Sequence, residues 1–266
     1  MLRLEHPYGP DIRVLVLDRP RARNALDGPL VRRLHEALLA AAQVPTLRAV
    51  VLRGAEGVFC AGADLGWMRR MAESDPETNR KDAEELAALL ETLASCPVPT
   101  VALAETVAYG GGLGLLAACD IALADDGCRF AFSEVRLGLV PAVIAPYVVR
   151  ACGHARPLAP WIYTGGVFDA PQAQRLGLIH AHHPRGDLDP ALTALLEGCR
   201  SAAPGAVRAA KTLLASCDTR PGGRVPGEHA HETAALIARL RVAPEGQEGL
   251  NAFLEKRPPR WPEFPS

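Results

Sequence analysis

Two stretches of backbone in this chain could do chemistry without any side chain. Cys60-Ala61-Gly62-Ala63-Asp64 and Gly110-Gly111-Gly112 each stand where an apolar run gives way to a helical pattern. At such a boundary several N–H groups lack an intrahelical partner, and the helix dipole adds partial positive charge. Glycine lets the chain approach a bound group with no side chain in the way. Two loops of this kind, one from each of two neighbouring layers, can each place an N–H on one carbonyl and hold the oxyanion that develops there. The donors expected on this reading are the N–H groups of Ala63 and Gly111. One carboxylate, Glu134, follows a third apolar run, and in an apolar cleft its pKa should rise toward neutrality. The combination suits proton transfer next to a carbonyl through an enolate.

Each feature also has a plainer reading. A lone Gly-Gly-Gly usually marks a tight turn, and a lone carboxylate is usually solvated or paired; the pairing of the two loops argues for a site. Leu113-Gly114-Leu115 replaces the Gly-Lys-Ser/Thr ending of a phosphate loop, and the dinucleotide spacing is absent. His180, His182 and His183, with His229 and His231, read as surface groups rather than metal ligands, because residues two apart on a helix face different sides. No G-x-S-x-G elbow occurs. No metal site is expected.

The elements that must position these loops follow from the apolar patterning. With 266 residues, 48% apolar and 22% charged, the chain can build a full core. A formal net charge of -1 gives no field to gather nucleic acid. Seven cysteines, odd in number and without a C-x-x-C pair, read as reduced thiols of a cytoplasmic protein. No run has signal-peptide or bilayer-spanning character, so no membrane association is expected. Residues 12–17, 47–52, 100–104, 121–124 and 129–132 read as buried strands. Asp27 caps a helix with Pro29 in its first turn and Leu30, Leu34, Leu38 and Ala41 on one face. Strands alternating with helices predict an α/β architecture. Residues 73–82, polar with little to bury, read as a mobile surface stretch beside the first loop that can act as a lid. After about Gly165 the pattern turns helical, over 190–201, 204–216, 227–240 and 244–255, with 178–182 as one further strand.

Taken in order, Leu17-Asp18-Arg19-Pro20-Arg21-Ala22-Arg23-Asn24-Ala25-Leu26, Phe59-Cys60-Ala61-Gly62-Ala63-Asp64-Leu65, Gly110-Gly111-Gly112 with Ala118-Cys119-Asp120-Ile121, Phe132-Ser133-Glu134, Leu137-Gly138-Leu139-Val140-Pro141, Glu245-Gly246 and Ala252-Phe253-Leu254-Glu255-Lys256-Arg257 resemble the enoyl-CoA hydratase/isomerase (crotonase) family over nearly the whole chain. The resemblance implies a spiral of β-β-α turns, with a crotonase core over 1–200 and a helical C-terminal region over 201–266 that mediates trimerisation, often to a hexamer of two trimers. It implies an acyl-CoA thioester as partner, held between the N–H groups of Ala63 and Gly111, with coenzyme A as part of the substrate and no separate cofactor. Arg21, Ala22 and Arg23 would lie along the phosphates and pantetheine, Ala61 and Ala63 near the adenine, and Met68 near the acyl chain. Gly62, Asp64, Leu65 and Gly110 complete the binding loops, and Lys256 would reach the nucleotide phosphate of a neighbouring subunit.

The sequence departs from the family at two places. Family hydratases carry two glutamates that hold a water between them; Glu134 matches one, and Gly114 stands in place of the other. At Thr106 the family usually has glycine. Three readings therefore stay open. One is hydration of a 2-enoyl-CoA, favoured by Tyr109-Gly110-Gly111-Gly112, Gly114-Leu115 and residues 133–139, which resemble a bacterial subgroup acting on branched substrates such as methylglutaconyl-CoA. A second is 3,2-enoyl-CoA isomerisation, for which one carboxylate suffices. The third is a non-catalytic acyl-CoA-binding or RNA-associated scaffold.

Overall fold

The computed structural model describes residues 1–217 and 230–261. Its backbone is a six-stranded sheet in the order β1 (Leu2–Glu5), β2 (Ile12–Leu17), β3 (Ala49–Gly54), β4 (Thr100–Ala104), β6 (Ile121–Asp125) and β9 (Ala181–His183). Only the β1–β2 pair is antiparallel. A second, three-stranded sheet holds β5 (Val107–Tyr109), β7 (Arg129–Ala131) and β8 (Val167–Asp169). The expected mixed α/β architecture is the one observed.

The larger sheet is apolar on both faces because each face has its own cover. Leu15, Leu17, Val50, Leu52 and Ala102 belong to one cluster with Leu30, Leu34 and Leu38 of α1 (Gly28–Ala42). The alternate residues Val14, Val16, Val51, Val101 and Leu103 pack with Leu188, Leu192 and Leu196 of α8 (Leu188–Ser201). Side chains alternate across a strand, so a two-sided core demands unbroken apolar runs such as these.

A repeat runs through the chain. β4, β5 and α4 (Gly111–Ala118) make one strand-strand-helix turn, and β6, β7 and α5 (Ala145–Cys152) make the next. Two earlier turns have single-residue bridges in place of the second strand: Cys60 pairs in parallel with Ala108, and Leu26 with Ala63. The first loop thus bridges to β5, the end strand of the smaller sheet, and the second loop continues that same strand.

Several expectations shift. The strand expected over 47–52 runs Ala49–Gly54, and that over 178–182 becomes Ala181–His183. Residues 73–82 are not an irregular stretch: α3 begins at Pro76 and runs to Ala94. Asp75 caps it by accepting from the N–H groups of Glu77 and Thr78, and Arg80 pairs with Glu77 and Glu84 along its exposed face. His180, His182 and His183 lie at a strand, with His182 2.6 Å from Asp126 and His180 Nδ1 accepting from the Ala122 N–H. His229 lies outside the described residues, as do 227–229 of the helix expected there, which is seen as α10 over Ala230–Val242. All seven cysteines are free; Cys60, Cys96, Cys119 and Cys128 are buried, but Cys217 is exposed.

The C-terminal helices α9 (Pro204–Cys217), α10 and α11 (Pro244–Leu254) follow the core. Glu245 accepts from the N–H groups of Gly205 and Ala206, Lys211 pairs with Asp120 at 2.6 Å, and the Trp261 ring N–H donates to the Ser201 carbonyl. Among the described residues no helix is long and apolar enough to cross a membrane.

Candidate active site

Ala63 owes its free N–H to the parallel bridge with Leu26. Leu26 N–H donates to the Gly62 carbonyl at 2.7 Å, and the Leu26 carbonyl accepts from Asp64 N–H at 2.8 Å. In a parallel pair the residue opposite turns its own N–H to the other side, so the Ala63 N–H points away from Leu26, toward the second loop. Asp64 then caps α2 (Leu65–Ala72) through Trp67 N–H. Arg19 ties Asp64 to Asp27, the cap of α1, at 3.0 and 2.9 Å. The Trp67 N–H and the Arg19 guanidinium hold the Asp64 carboxyl below the usual carboxylate range. Asn24, fully buried at φ +57, donates to the Ala55 and Val58 carbonyls and fixes the approach to the loop.

The second loop grows from β5. Tyr109 N–H donates to the Cys60 carbonyl and Gly110 N–H to the Ala131 carbonyl, both at 3.0 Å. Gly110 then turns with φ +47, a conformation that disfavours a side chain, and becomes the N-cap of α4. A Cβ on Gly112 would lie 2.8 Å from Cys60 Cβ, so glycine there lets α4 press on the first loop. As the first residue of α4, Gly111 has no intrahelical acceptor for its N–H. Among the described residues neither the Ala63 nor the Gly111 N–H has a hydrogen-bond partner.

Glu134 arrives on a 3-10 helix, Ser133–Leu137, just after β7. A Cβ on Gly110 would stand 3.1 Å from Glu134 Oε1 and 3.9 Å from Gly62 Cα, so the carboxyl and both loops converge. Its Oε2 is buried and has no hydrogen-bond partner among the described residues. Burial raises its pKa, outweighing the opposing pull of its own backbone N–H. A carboxylate left without a fixed partner can take and return a proton. The Cys60 thiol nearby is pushed up to about 12 by burial and stays protonated.

The other side of the cleft is filled. A Cβ on Gly114 would lie 2.3 Å from Ile144 Cγ2 and 3.4 Å from Leu90 Cδ1. Ile144 is buried, from the turn ahead of α5. The absent second acid is therefore not an open gap; a branched apolar side chain occupies the space.

The residues expected to bind the substrate divide in two groups. Arg21, Ala22 and Arg23 stand beside the first loop, because Ala61 N–H donates to the Arg23 carbonyl at 3.1 Å. The side chains of Arg21 and Arg23 are exposed and have no ion pair among the described residues. Leu65 is exposed on the first turn of α2 and Met68 half-buried on the same helix, whose Trp67 ring N–H donates to Asp82 on α3. Lys256 is exposed beyond α11 at φ +55, and no described contact joins it to either loop. Reasoning from the sequence missed Ile144, Arg19 and Asn24 as builders of the site. Asn24 had a usable signal, since asparagine is among the few residues that tolerate positive φ.

Comparison with known proteins identifies the family. The family described as enoyl-CoA hydratase/isomerase matches residues 10–263. A putative enoyl-CoA hydratase of Thermus thermophilus is 35% identical, over 94% of this chain and 97% of its own. The human mitochondrial methylglutaconyl-CoA hydratase is 32% identical, over 93% of this chain and 73% of its own. The crystal structure of an enoyl-CoA hydratase from Shewanella pealeana superposes with a TM-score of 0.91 at 38% identity, covering 98% of this chain and 95% of that one.

Proposed function

The chain belongs to the enoyl-CoA hydratase/isomerase family, and from that premise we propose that it hydrates a 2-enoyl-CoA with Glu134 as the single proton carrier. The observation that carries the reading is the buried, unbonded Oε2 of Glu134 beside two unengaged backbone N–H groups. The Ala63 and Gly111 N–H groups hold the thioester oxygen. Glu134 as carboxylate takes a proton from water while the water oxygen bonds to the β-carbon and the π electrons move onto the thioester oxygen. The resulting enolate collapses as Glu134 returns the proton to the α-carbon, which restores the carboxylate. The likeness to a methylglutaconyl-CoA hydratase supports a branched acyl chain.

The Gly114–Ile144 contact favours a second reading, 3,2-enoyl-CoA isomerisation. There Glu134 removes a proton from the α-carbon of a 3-enoyl-CoA and delivers it to the γ-carbon, with no water to hold. Incubation with crotonyl-CoA, methylglutaconyl-CoA and a 3-enoyl-CoA separates the two. Water addition to either conjugated thioester supports the first; double-bond migration alone replaces it with the second; saturable binding with no turnover of any of them sinks both.

The placement of Arg21, Ala22, Arg23 and Ala61 supports their expected role along the coenzyme. Self-association to a trimer or hexamer is supported by Ile237, Val242, Leu250, Phe253 and Leu254, apolar residues exposed on α10 and α11. Light scattering coupled to size exclusion tests it, and a monomer at micromolar concentration would remove it.

A further inference from the structure

Thr106 is where the chain leaves the six-stranded sheet at the end of β4 and enters β5. Its φ is +62, and across it Val107 N–H donates to the Glu105 carbonyl at 2.7 Å. Residues 105–107 thus form a three-residue turn with positive φ at its centre, the rarer and strained form. For a β-branched residue this conformation is an outlier, and such a residue persists only where its surroundings over-determine it.

The surroundings do so here, and they lead to both loops. Thr106 Oγ1 donates to the Gly57 carbonyl at 2.6 Å, and its N–H donates to Asp125 Oδ2 at 3.1 Å. Asp125 is 3% exposed, and its other oxygen has no partner among the described residues. The Thr106 carbonyl accepts from Arg129 N–H at 2.9 Å, and the neighbouring Glu105 carbonyl accepts from Phe59 N–H at 2.9 Å. One turn therefore fastens Gly57–Phe59, which runs on into Ala63, to β5, which runs on into Gly111. Glycine would relieve the strain but has no hydroxyl for the Gly57 carbonyl.

We infer that Thr106 is a positioning residue whose hydroxyl, held in a strained turn, sets the spacing between the Ala63 and Gly111 N–H groups; the inference rests on the reading of those groups as the oxyanion site. A residue that only supports the fold would change stability and leave the turnover rate of folded enzyme alone.

The test compares T106V, T106G and T106S in the full chain, by steady-state kinetics on crotonyl-CoA and a 3-enoyl-CoA and by amide exchange over 57–64 and 107–112. T106V and T106G should lose kcat on the order of tenfold with KM within about twofold, since displaced donors act on the transition state rather than on coenzyme binding. T106S, which keeps the hydroxyl, should restore kcat. Exchange should quicken in both segments for T106V and T106G. Wild-type kcat together with wild-type exchange in T106V and T106G overturns the inference. If the wild-type chain turns over neither substrate, the functional reading has failed, and exchange alone decides whether Thr106 couples the two loops. T106G guards against a folding failure of T106V, because glycine accepts the turn.

Discussion

The cleft has two unlike sides. On one, Glu134 brings a carboxyl oxygen into a buried place and leaves it unbonded. On the other, α4 offers only apolar side chains and glycines, and Ile144 closes on Gly114. On the proposed reading the two tasks of the site fall to different groups. The proposed oxyanion donors are backbone N–H groups, which no side-chain exchange at position 114 removes. The proposed proton carrier is one residue, Glu134. With Gly114 at that place, only Glu134 is left as a carboxylate to hold a water, so on the proposed reading the fate of the double bond depends on what else can hold one.

Replacing the polar side should have the largest effect. E134Q keeps the shape of the side chain but cannot cycle a proton, and kcat should fall about 10³-fold with KM little changed. Loss of the enoyl absorbance, or its growth from a 3-enoyl-CoA, reads this directly; activity within a few fold of wild type would end Glu134's role. G110A comes next. The new methyl would crowd Glu134 Oε1 at 3.1 Å in a backbone already at φ +47. A loss of kcat on the order of 10²-fold is expected from the displaced carboxyl and donor. If G110A retains full kcat, the two loops and Glu134 do not share one reaction centre.

The polar side was largely legible in the sequence, and the apolar side was not. Gly110-Gly111-Gly112 and Asp64 announce themselves through backbone chemistry, a positive φ and a helix cap, which are local properties. Glu134 was legible through the resemblance of Phe132-Ser133-Glu134 to the family, since a lone carboxylate after a strand is usually solvated or paired. The contact of Ile144 with Gly114 joins residues far apart in sequence and leaves no local pattern; the gap at position 114 showed, and its filling did not. The stretch over 73–82 was misread for a related reason. Low apolar content argues against burial, but an exposed helix needs only its cap and its i,i+3 and i,i+4 ion pairs. Asp75, Glu77, Arg80 and Glu84 supply these.

The apolar side is sharpened by asking it to accept an acid. G114E should destabilise the fold by roughly 2–4 kcal/mol, from overpacking against Ile144 and from an unpaired buried carboxylate. In the G114E/I144A double variant the cavity left by Ile144 takes the new side chain, and part of the loss should return. Urea midpoints of the four proteins give the coupling between the sites. The double variant should also add water in greater proportion to double-bond migration than wild type. Equal midpoints for G114E and wild type would show that Ile144 yields freely and that the apolar side is no barrier.

The smallest effect bears on the price of an unbonded carboxyl. Burial raises the Glu134 pKa above the ordinary glutamate value. Between that value and the raised one, the folded chain binds more protons at Glu134 than the unfolded chain does. Stability contributed by this group is therefore fully present below the unfolded pKa and lost as pH rises through the folded pKa. Glutamine does not titrate, so the stability difference between E134Q and wild type should grow in favour of E134Q across that window and stay constant above it. In the proposed mechanism Glu134 starts as carboxylate, so kcat/KM should fall on acidification with a midpoint above that of an ordinary glutamate. Ile144 carries no titratable group, so I144V should leave both profiles where they are. A flat stability difference with an acid limb at the ordinary glutamate value would mean that Glu134 is solvated in the working enzyme, and the asymmetry between the two sides would then be one of shape alone.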